Sequence, residues 1–360
     1  DQPGLGDTDP TLLQPPHQHR PDIGGAHPGR GIRVVDPDPH NTIIYIILRL
    51  YRFLRVMSQD RLPQMVISIM LLADFDVSER CNIRPRSFDL IAKKGDVLVI
   101  IKVVSHIDSV TADIAWDLNL IARYLQATPL IVGERARDAE LERGVVYIRY
   151  GLFALSPETL YDYFAEGLSP MVYASPGGLY VKIKGDLLRE VRERSRMSLG
   201  DLASHLGVSR RTISKYESGM GTTLDVAIRL EELFSAPLVE TIELVGYRTP
   251  EPENPPKSTV GDVFIDLERM GMEIHAMRQA PFQALALFDR HTILTAYGTT
   301  QKVVKRASLI GNISQITKTF AMCVVTDYNK QKKIGKTLLI GEEHLHTLED
   351  GSELIDMINE

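Results

Sequence analysis

Between residues 198 and 219 the chain reads Ser-Leu-Gly-Asp-Leu-Ala-Ser-His-Leu-Gly-Val-Ser-Arg-Arg-Thr-Ile-Ser-Lys-Tyr-Glu-Ser-Gly, and the punctuation of this stretch leaves few folds open. Ser198 and Asp201 have the spacing of a capping box, in which each side chain satisfies a free backbone donor at a helix start. The helix that begins there turns Leu199, Leu202, Ala203 and Leu206 inward and stops at Gly207, the residue best able to adopt a left-handed conformation. Val208 supplies an apolar plug, and Ser209 caps another helix over 210–217 whose inward positions are Ile213 and Tyr216. Two short helices joined by a four-residue turn cross steeply, and Ala203 is small where they approach. Arg210, Arg211, Thr212, Ser214 and Lys215 are left on the outer face.

The flanks agree with this reading. An arm over 180–184 leads into a first helix with Leu187, Leu188 and Val191 inside, and the whole unit spans roughly residues 182–247. From Lys182 to Lys215 there are nine Lys or Arg against four Asp or Glu, a local excess of positive charge in a chain whose total is −6. The overall charge argues against a protein that coats nucleic acid indiscriminately, so any such contact is local. Arginine can donate two parallel hydrogen bonds to the O6 and N7 edge of guanine, and lysine and hydroxyls reach base edges or phosphates. The outer face therefore suits duplex DNA. A protein-interaction module with the same helices, or a solvated basic face, is the bland alternative.

Leu188-Arg189-Glu190-Val191-Arg192, Ser198-Leu199 with Leu202-Ala203, Leu206-Gly207-Val208-Ser209 and Ile213 through Gly219 together resemble the Cro and phage-repressor type of helix-turn-helix. Leu224, Ala227, Leu230 and Phe234, within 223–234, resemble that family's fourth helix. The resemblance implies a five-helix, λ-repressor-like domain in which Arg210, Arg211 and Lys215 point into the major groove and Thr212 and Ser214 lie nearer the backbone. One departure stands out: where family members often carry Gln at the start of the second helix, this chain has Gly200. The expected DNA-contacting set is Ser209, Arg210, Arg211, Thr212, Ser214 and Lys215, with Lys182 and Lys184 from the arm. Lysines and arginines of the first and third helices are expected on phosphates, with Arg210 and Arg211 on base edges. Motifs of this type act as dimers on palindromic sites, so a homodimer on double-stranded DNA is expected.

A chain of 360 residues exceeds the size at which one core usually stops growing, ~250–300 residues. Residues 1–56 are rich in Pro, Gly, His and Asp, the chain begins with Asp, and Met57 opens a normal globular texture. That stretch is expected to be disordered, an upstream extension or a misplaced start, with a functional tail as the alternative. Residues 57–175 alternate helix and strand: a helix over 63–73, strands over 88–92 and 96–104 around a Lys-Gly turn, a helix over 112–125, strands over 130–132 and 145–148, and a helix over 157–164. Residues 258–360 repeat this plan after a proline-rich linker over 248–257. In that repeat 282–286 answers to 88–92, 291–296 to the strand around Val99, 322–325 to 130–132 and 335–340 to 144–148; a helix lies within 303–320, and 352–358 closes the copy. The expected fold class is thus α/β plus all-α, a central helical DNA-binding domain flanked by two related α/β units. The order of domains, with the texture of residues 78–150, also resembles a family of archaeal transcriptional regulators.

Asp89, followed by an apolar strand ending in Lys102, resembles the D…(D/E)-x-K pattern of restriction-endonuclease-like folds. That resemblance implies two carboxylates on a divalent cation and a lysine at the transition state. Here Ile100 occupies the second carboxylate position, and the second copy has Gln283 with Thr295, Ala296 and Tyr297, so both units are expected to be degenerate and no enzyme is expected. Lys102 interrupts an apolar run and needs a partner, for which Asp89 is the natural counter-ion. A phosphate or ligand contact, or nuclease chemistry with Glu79 or Asp96 as the missing ligand, stays open beside the structural ion pair. No cofactor or metal is expected: His106 with Asp108, and His344 and His346 beside Glu342 and Glu343, read as solvated polar groups. Two separated cysteines, Cys81 and Cys323, suit a reducing cytosol, no apolar run approaches the ~20 residues of a membrane span, and a cytoplasmic protein is expected. An effector is left open.

Overall fold

The apolar runs on either side of the basic segment form two sheets. The computed structural model describes residues 61–137, 139–247, 262–327 and 330–360; the expectations for residues 1–56 and 248–257 lie outside them. Helix α1 (Arg61–Leu72) buries Leu62, Val66, Ile69 and Met70 at helical spacing. It precedes strands β1 (Asp76–Val77), β2 (Leu90–Lys94) and β3 (Val97–His106). Helix α2 (Ala112–Tyr124), capped by Thr111, crosses to β4 (Thr128–Ala136). The short β5 (Ala139–Glu140), β6 (Val145–Arg149), β7 (Leu152–Leu155) and helix α3 (Pro157–Phe164) follow. Spatial order is β1-β2-β3-β4-β7-β6, with β3, β4 and β7 parallel. Leu98 through Val103 are all buried, as a strand covered on both faces must be.

Strand β8 (Val172–Ser175) pairs in parallel with β6 and carries this sheet into the basic segment. There β9 (Gly178–Ile183) is followed by helices α4 (Gly185–Arg194), α5 (Leu199–Leu206) and α6 (Arg210–Glu217), the short β10 (Thr222–Thr223), helix α7 (Leu224–Phe234) and β11 (Val239–Glu240). β9 pairs with β8, β10 and β11. Val181, Ile183, Leu188, Leu202, Leu206, Ile213, Ala227 and Leu230 form a separate core under these helices. Four helices occupy residues 182–247, not the expected five. Ser235 takes φ 48° and ends α7, Pro237 lacks an N–H to donate, and Val239 and Glu240 pair with Ile183 and Lys182 instead.

The second sheet begins after helix α8 (Asp262–Arg269) with β12 (Glu273–Ala276), β13 (Ala284–Phe288) and β14 (His291–Gly298). Helix α9 (Thr300–Thr317) leads to β15 (Phe320–Val325), β16 (Lys332–Ile334) and β17 (Thr337–Gly341), then helices α10 (Glu342–Thr347) and α11 (Gly351–Asn359). Its order, β12-β13-β14-β15-β17-β16, is that of the first sheet, with the same parallel and antiparallel pairs. The register matches as well: Leu90 lies opposite Ile101 as Ala284 lies opposite Thr295, and Tyr147 opposite Ala154 as Lys332 lies opposite Leu339. One expected correspondence moves by a strand, since β17 holds the place of β7 and β16 that of β6. The four-residue β7 is buried throughout and shows no alternation that would reveal it, which is why the sequence pattern aligns Gly335–Ile340 with the strand before it.

The sheets share a core between α2 and α9, where Leu118 and Ile121 join Ile310 and Ile313. Phe88 and Phe282, each at the same place before its hairpin, meet with ring centroids 6.3 Å apart. The Asp117 carboxylate on α2 accepts from the backbone N–H groups of Arg278 and Gln279 after β12. Reciprocally, Asn312 Oδ1 on α9 accepts from Glu79 N after β1 at 2.7 Å. Burial drives the Asp117 carboxyl above its ordinary range, against those hydrogen bonds.

Candidate nucleic-acid interface

The geometry of α5 and α6 follows from their end residues. Ser198 Oγ accepts from Asp201 N at 3.1 Å and Asp201 Oδ2 accepts from Ser198 N at 2.8 Å, completing the capping box. The Asp201 carboxyl is held below its usual range, first by hydrogen bonds from Ser198 and last by the charge of Arg210. Gly207 ends α5 at φ 70°, a left-handed value glycine takes without steric cost. Val208 N then donates to Ala203 O at 3.0 Å, closing the turn. Ser209 Oγ accepts from Thr212 N at 3.1 Å and starts α6.

Ile213 and Tyr216 are buried, and so is Glu217, which the sequence reading had not singled out. Glu217 Oε1 pairs with Arg192 Nε at 2.5 Å and Glu217 Oε2 with Arg189 Nε at 3.5 Å, while Arg192 also donates to Met197 O at 2.9 Å. This buried pair bolts the end of α6 to α4. Its signal in the sequence is faint, an acid at the end of an otherwise basic helix.

Arg210, Arg211, Ser214 and Lys215 are exposed together on the outer face of α6. Among the described residues none of these three cations has a hydrogen bond or ion-pair partner. The arginines of α4 differ: Arg189 and Arg192 are held by Glu217, and Arg194 pairs with Glu190. Expectation had set the cations of the first helix on phosphates, yet its arginines are engaged within the fold. Ser209 and Thr212 share a hydrogen bond at 2.8 Å, so both hydroxyls already serve the helix start. Lys182 and Lys184 are exposed on and just beyond β9, and Lys184 Nζ donates to Pro237 O at 3.2 Å. Gly185, which follows, abuts the backbone of Glu217, so the two lysines stand toward the far end of α6 from Arg210 and Arg211.

In the first sheet Asp89 is fully buried and Lys102 nearly so. Asp89 Oδ1 lies 2.7 Å from Arg86 Nε, its Oδ2 accepts from Val103 N at 2.8 Å, and Lys102 Nζ stands 3.5 Å from Oδ2 while donating to Arg86 O at 3.0 Å. Burial pulls the Lys102 ammonium below its ordinary range, opposed by Asp89. Asp89 is thus the counter-ion expected, and Arg86, three residues away in a loop, is the partner that pattern did not reveal. Ile100 is buried where a second carboxylate would stand, Asp96 lies in the turn at the other end of the β2–β3 hairpin, and Glu79 is exposed. In the second sheet Gln283 takes the place of Asp89: its Oε1 accepts from Tyr297 N at 3.1 Å and its Nε2 donates to Tyr297 O at 2.8 Å. Ala296 takes the place of Lys102. Asp108 is engaged by Arg149 and by Arg137 N, and His346 by Asp266. Among the described residues no group of three or more His, Cys, Asp or Glu is placed to hold a metal ion, and no helix is long and apolar enough to cross a membrane.

Comparison with known proteins agrees with both regions. A PD-(D/E)XK superfamily domain model matches residues 59–170, and a helix-turn-helix model matches residues 188–240. A "Putative HTH-type transcriptional regulatory protein" of Methanoculleus marisnigri is 91% identical over 304 residues, covering 84% of this chain and 100% of the relative. A protein of the same name from Methanoregula boonei is 61% identical over 308 residues, 84% of this chain and 97% of the relative. Another, from Halobacterium salinarum, is 40% identical over 314 residues, 84% of this chain and 97% of the relative. No solved structure matches the chain. With a PD-(D/E)XK superfamily domain leading into a helix-turn-helix, and relatives this similar along nearly their whole length, the chain belongs to the family of these HTH-type proteins.

Proposed function

We propose that this protein is a sequence-specific DNA-binding regulator of transcription that acts in the cytoplasm as a homodimer on palindromic sites. The observation that carries this reading is the contrast in partners: Arg210, Arg211 and Lys215 stand exposed and unclaimed on one face of α6, while the arginines of α4 are tied to carboxylates. A cation that is already paired gains little from a phosphate, whereas an open one gains the full contact. In this reading Arg210 and Arg211 reach base edges, Lys215 and Ser214 reach bases or phosphates, Ser209 and Thr212 hold the helix start against the backbone, and Lys182 and Lys184 add general attraction. Half-sites spaced by about one helical turn are expected for a dimer of this motif.

The α/β part serves this reading as a scaffold rather than a catalyst. Its two sheets are read as copies of one unit, of which the first keeps Asp89 and Lys102 but has Ile100 at the second carboxylate position, and the second has Gln283 and Ala296 in their places. Competition binding to the gene's own upstream region tests the DNA-binding face. Replacing Arg210 or Arg211 with Ala should cost about 1–3 kcal/mol at the base pair read, and replacing Lys182 should weaken specific and random duplexes alike. Unchanged binding to both duplexes by both arginine variants would assign the face elsewhere.

A further inference from the structure

Gly200 occupies the second position of α5, where its backbone is that of an ordinary helical residue and calls for no glycine. Glycine there destabilises the helix relative to alanine. A β-carbon at this position would lie 2.8 Å from Arg210 Nε, 3.0 Å from Nη2 and 3.1 Å from Cζ. Its three nearest neighbours are therefore all guanidinium atoms of one side chain. Cζ is the farthest of the three, so the space a side chain would take lies obliquely off the Nε–Nη2 side of the group, and the guanidinium itself fills it. The guanidinium of Arg210 lies across bare backbone at the start of α5, with none of its N–H donors claimed among the described residues. Asp201 beside it adds attraction at a distance, its own carboxylate being occupied by Ser198.

We propose that Gly200 is a specificity-determining residue of the DNA-binding face: by withholding a side chain, it seats the Arg210 guanidinium across the start of α5 and so decides which base pair that arginine reads. This rests on the DNA-binding function proposed above. An arginine loses much rotamer freedom when it is fixed, and resting its end against the bare backbone of Gly200 restricts it before DNA arrives. The fork then meets the groove in one orientation, as bidentate recognition of a base edge requires. Any side chain at position 200 displaces the guanidinium, because its end is flexible and moves more readily than the helix.

The test is selection of duplexes from a random-sequence DNA library by the full chain, followed by binding measurements on the enriched duplex. Wild type, Gly200→Ala, Arg210→Ala and the double variant are compared, with a thermal melt of each. Gly200→Ala should melt at or above the wild-type temperature, since alanine favours the helix. It should nevertheless lose preference at the same base pair as Arg210→Ala, with affinity for the enriched duplex falling between about fivefold and about 150-fold. The double variant should bind no worse than Arg210→Ala alone. A Gly200→Ala chain that enriches the wild-type sequence with wild-type affinity, or losses that add in the double variant, would overturn the role of Gly200 alone. A wild-type chain that enriches no sequence would instead overturn the DNA-binding reading, and this inference with it.

Discussion

In the first sheet the β2–β3 hairpin is tied at its open end by Asp89, and in the second the β13–β14 hairpin is tied at the same place by Gln283. Asp89 N donates to Ile101 O as Gln283 N donates to Thr295 O, and each side chain then accepts the N–H of the residue two further along the facing strand. The backbone bond is the same, but its chemical surroundings are not. A buried carboxylate must be compensated by cations, and the first sheet supplies Arg86 and Lys102. A neutral amide makes both bonds to Tyr297 by itself, and Ala296 fills the place of the lysine. One architectural role is thus filled by a charged cluster in one half and by an amide in the other.

The largest effect should come where the halves meet. Phe88→Ala and Phe282→Ala should each cost about 3–5 kcal/mol in denaturant unfolding of the full chain. Because the rings touch, the double variant should lose less than the sum, by about 0.5–3 kcal/mol. Strict additivity would show that the halves do not share this contact. Next, Asp89→Ala leaves Lys102 and Val103 N without their partner and should cost about 3–5 kcal/mol. Gln283→Ala strands only neutral groups and should cost about 1–3 kcal/mol. Installing the second half's solution in the first, Asp89→Gln with Lys102→Ala, should recover part of the Asp89→Ala loss. A double variant no more stable than Asp89→Ala would mean that the two sites are not interchangeable. The smallest effect is expected in catalysis: plasmid or junction DNA incubated with Mg²⁺ or Mn²⁺ should remain uncut, and metal-dependent cutting abolished by Lys102→Ala would return the first half to enzymology.

The parts of the fold legible in the sequence are those whose signals are local. Ser198, Asp201, Gly207 and Ser209 each act on a backbone group within a few residues, so the two short helices and their turn are placed to the residue. Helix α3 has Ser156 as cap and Pro157 in its first turn, and the expected span and the observed one coincide. Strand β7 escaped because four buried residues carry neither alternation nor length. Helix α8 and strand β12 also went unread. The expected fifth helix came from the resemblance alone, and the competition at Val239 and Glu240 was won by pairing with β9.

Neighbouring residues alone set where helices begin and end around Gly207, which face of α6 is basic, and that Lys102 needed a counter-ion. Those are consequences of neighbouring residues and of the cost of burying a charge. Which cations remain open follows from the folded chain, because pairing depends on groups far away in sequence: Arg192 is held by Glu217 and Arg210 is not. It alone brought Phe88 to Phe282 and laid Arg210 over Gly200, since packing joins surfaces that no local period connects.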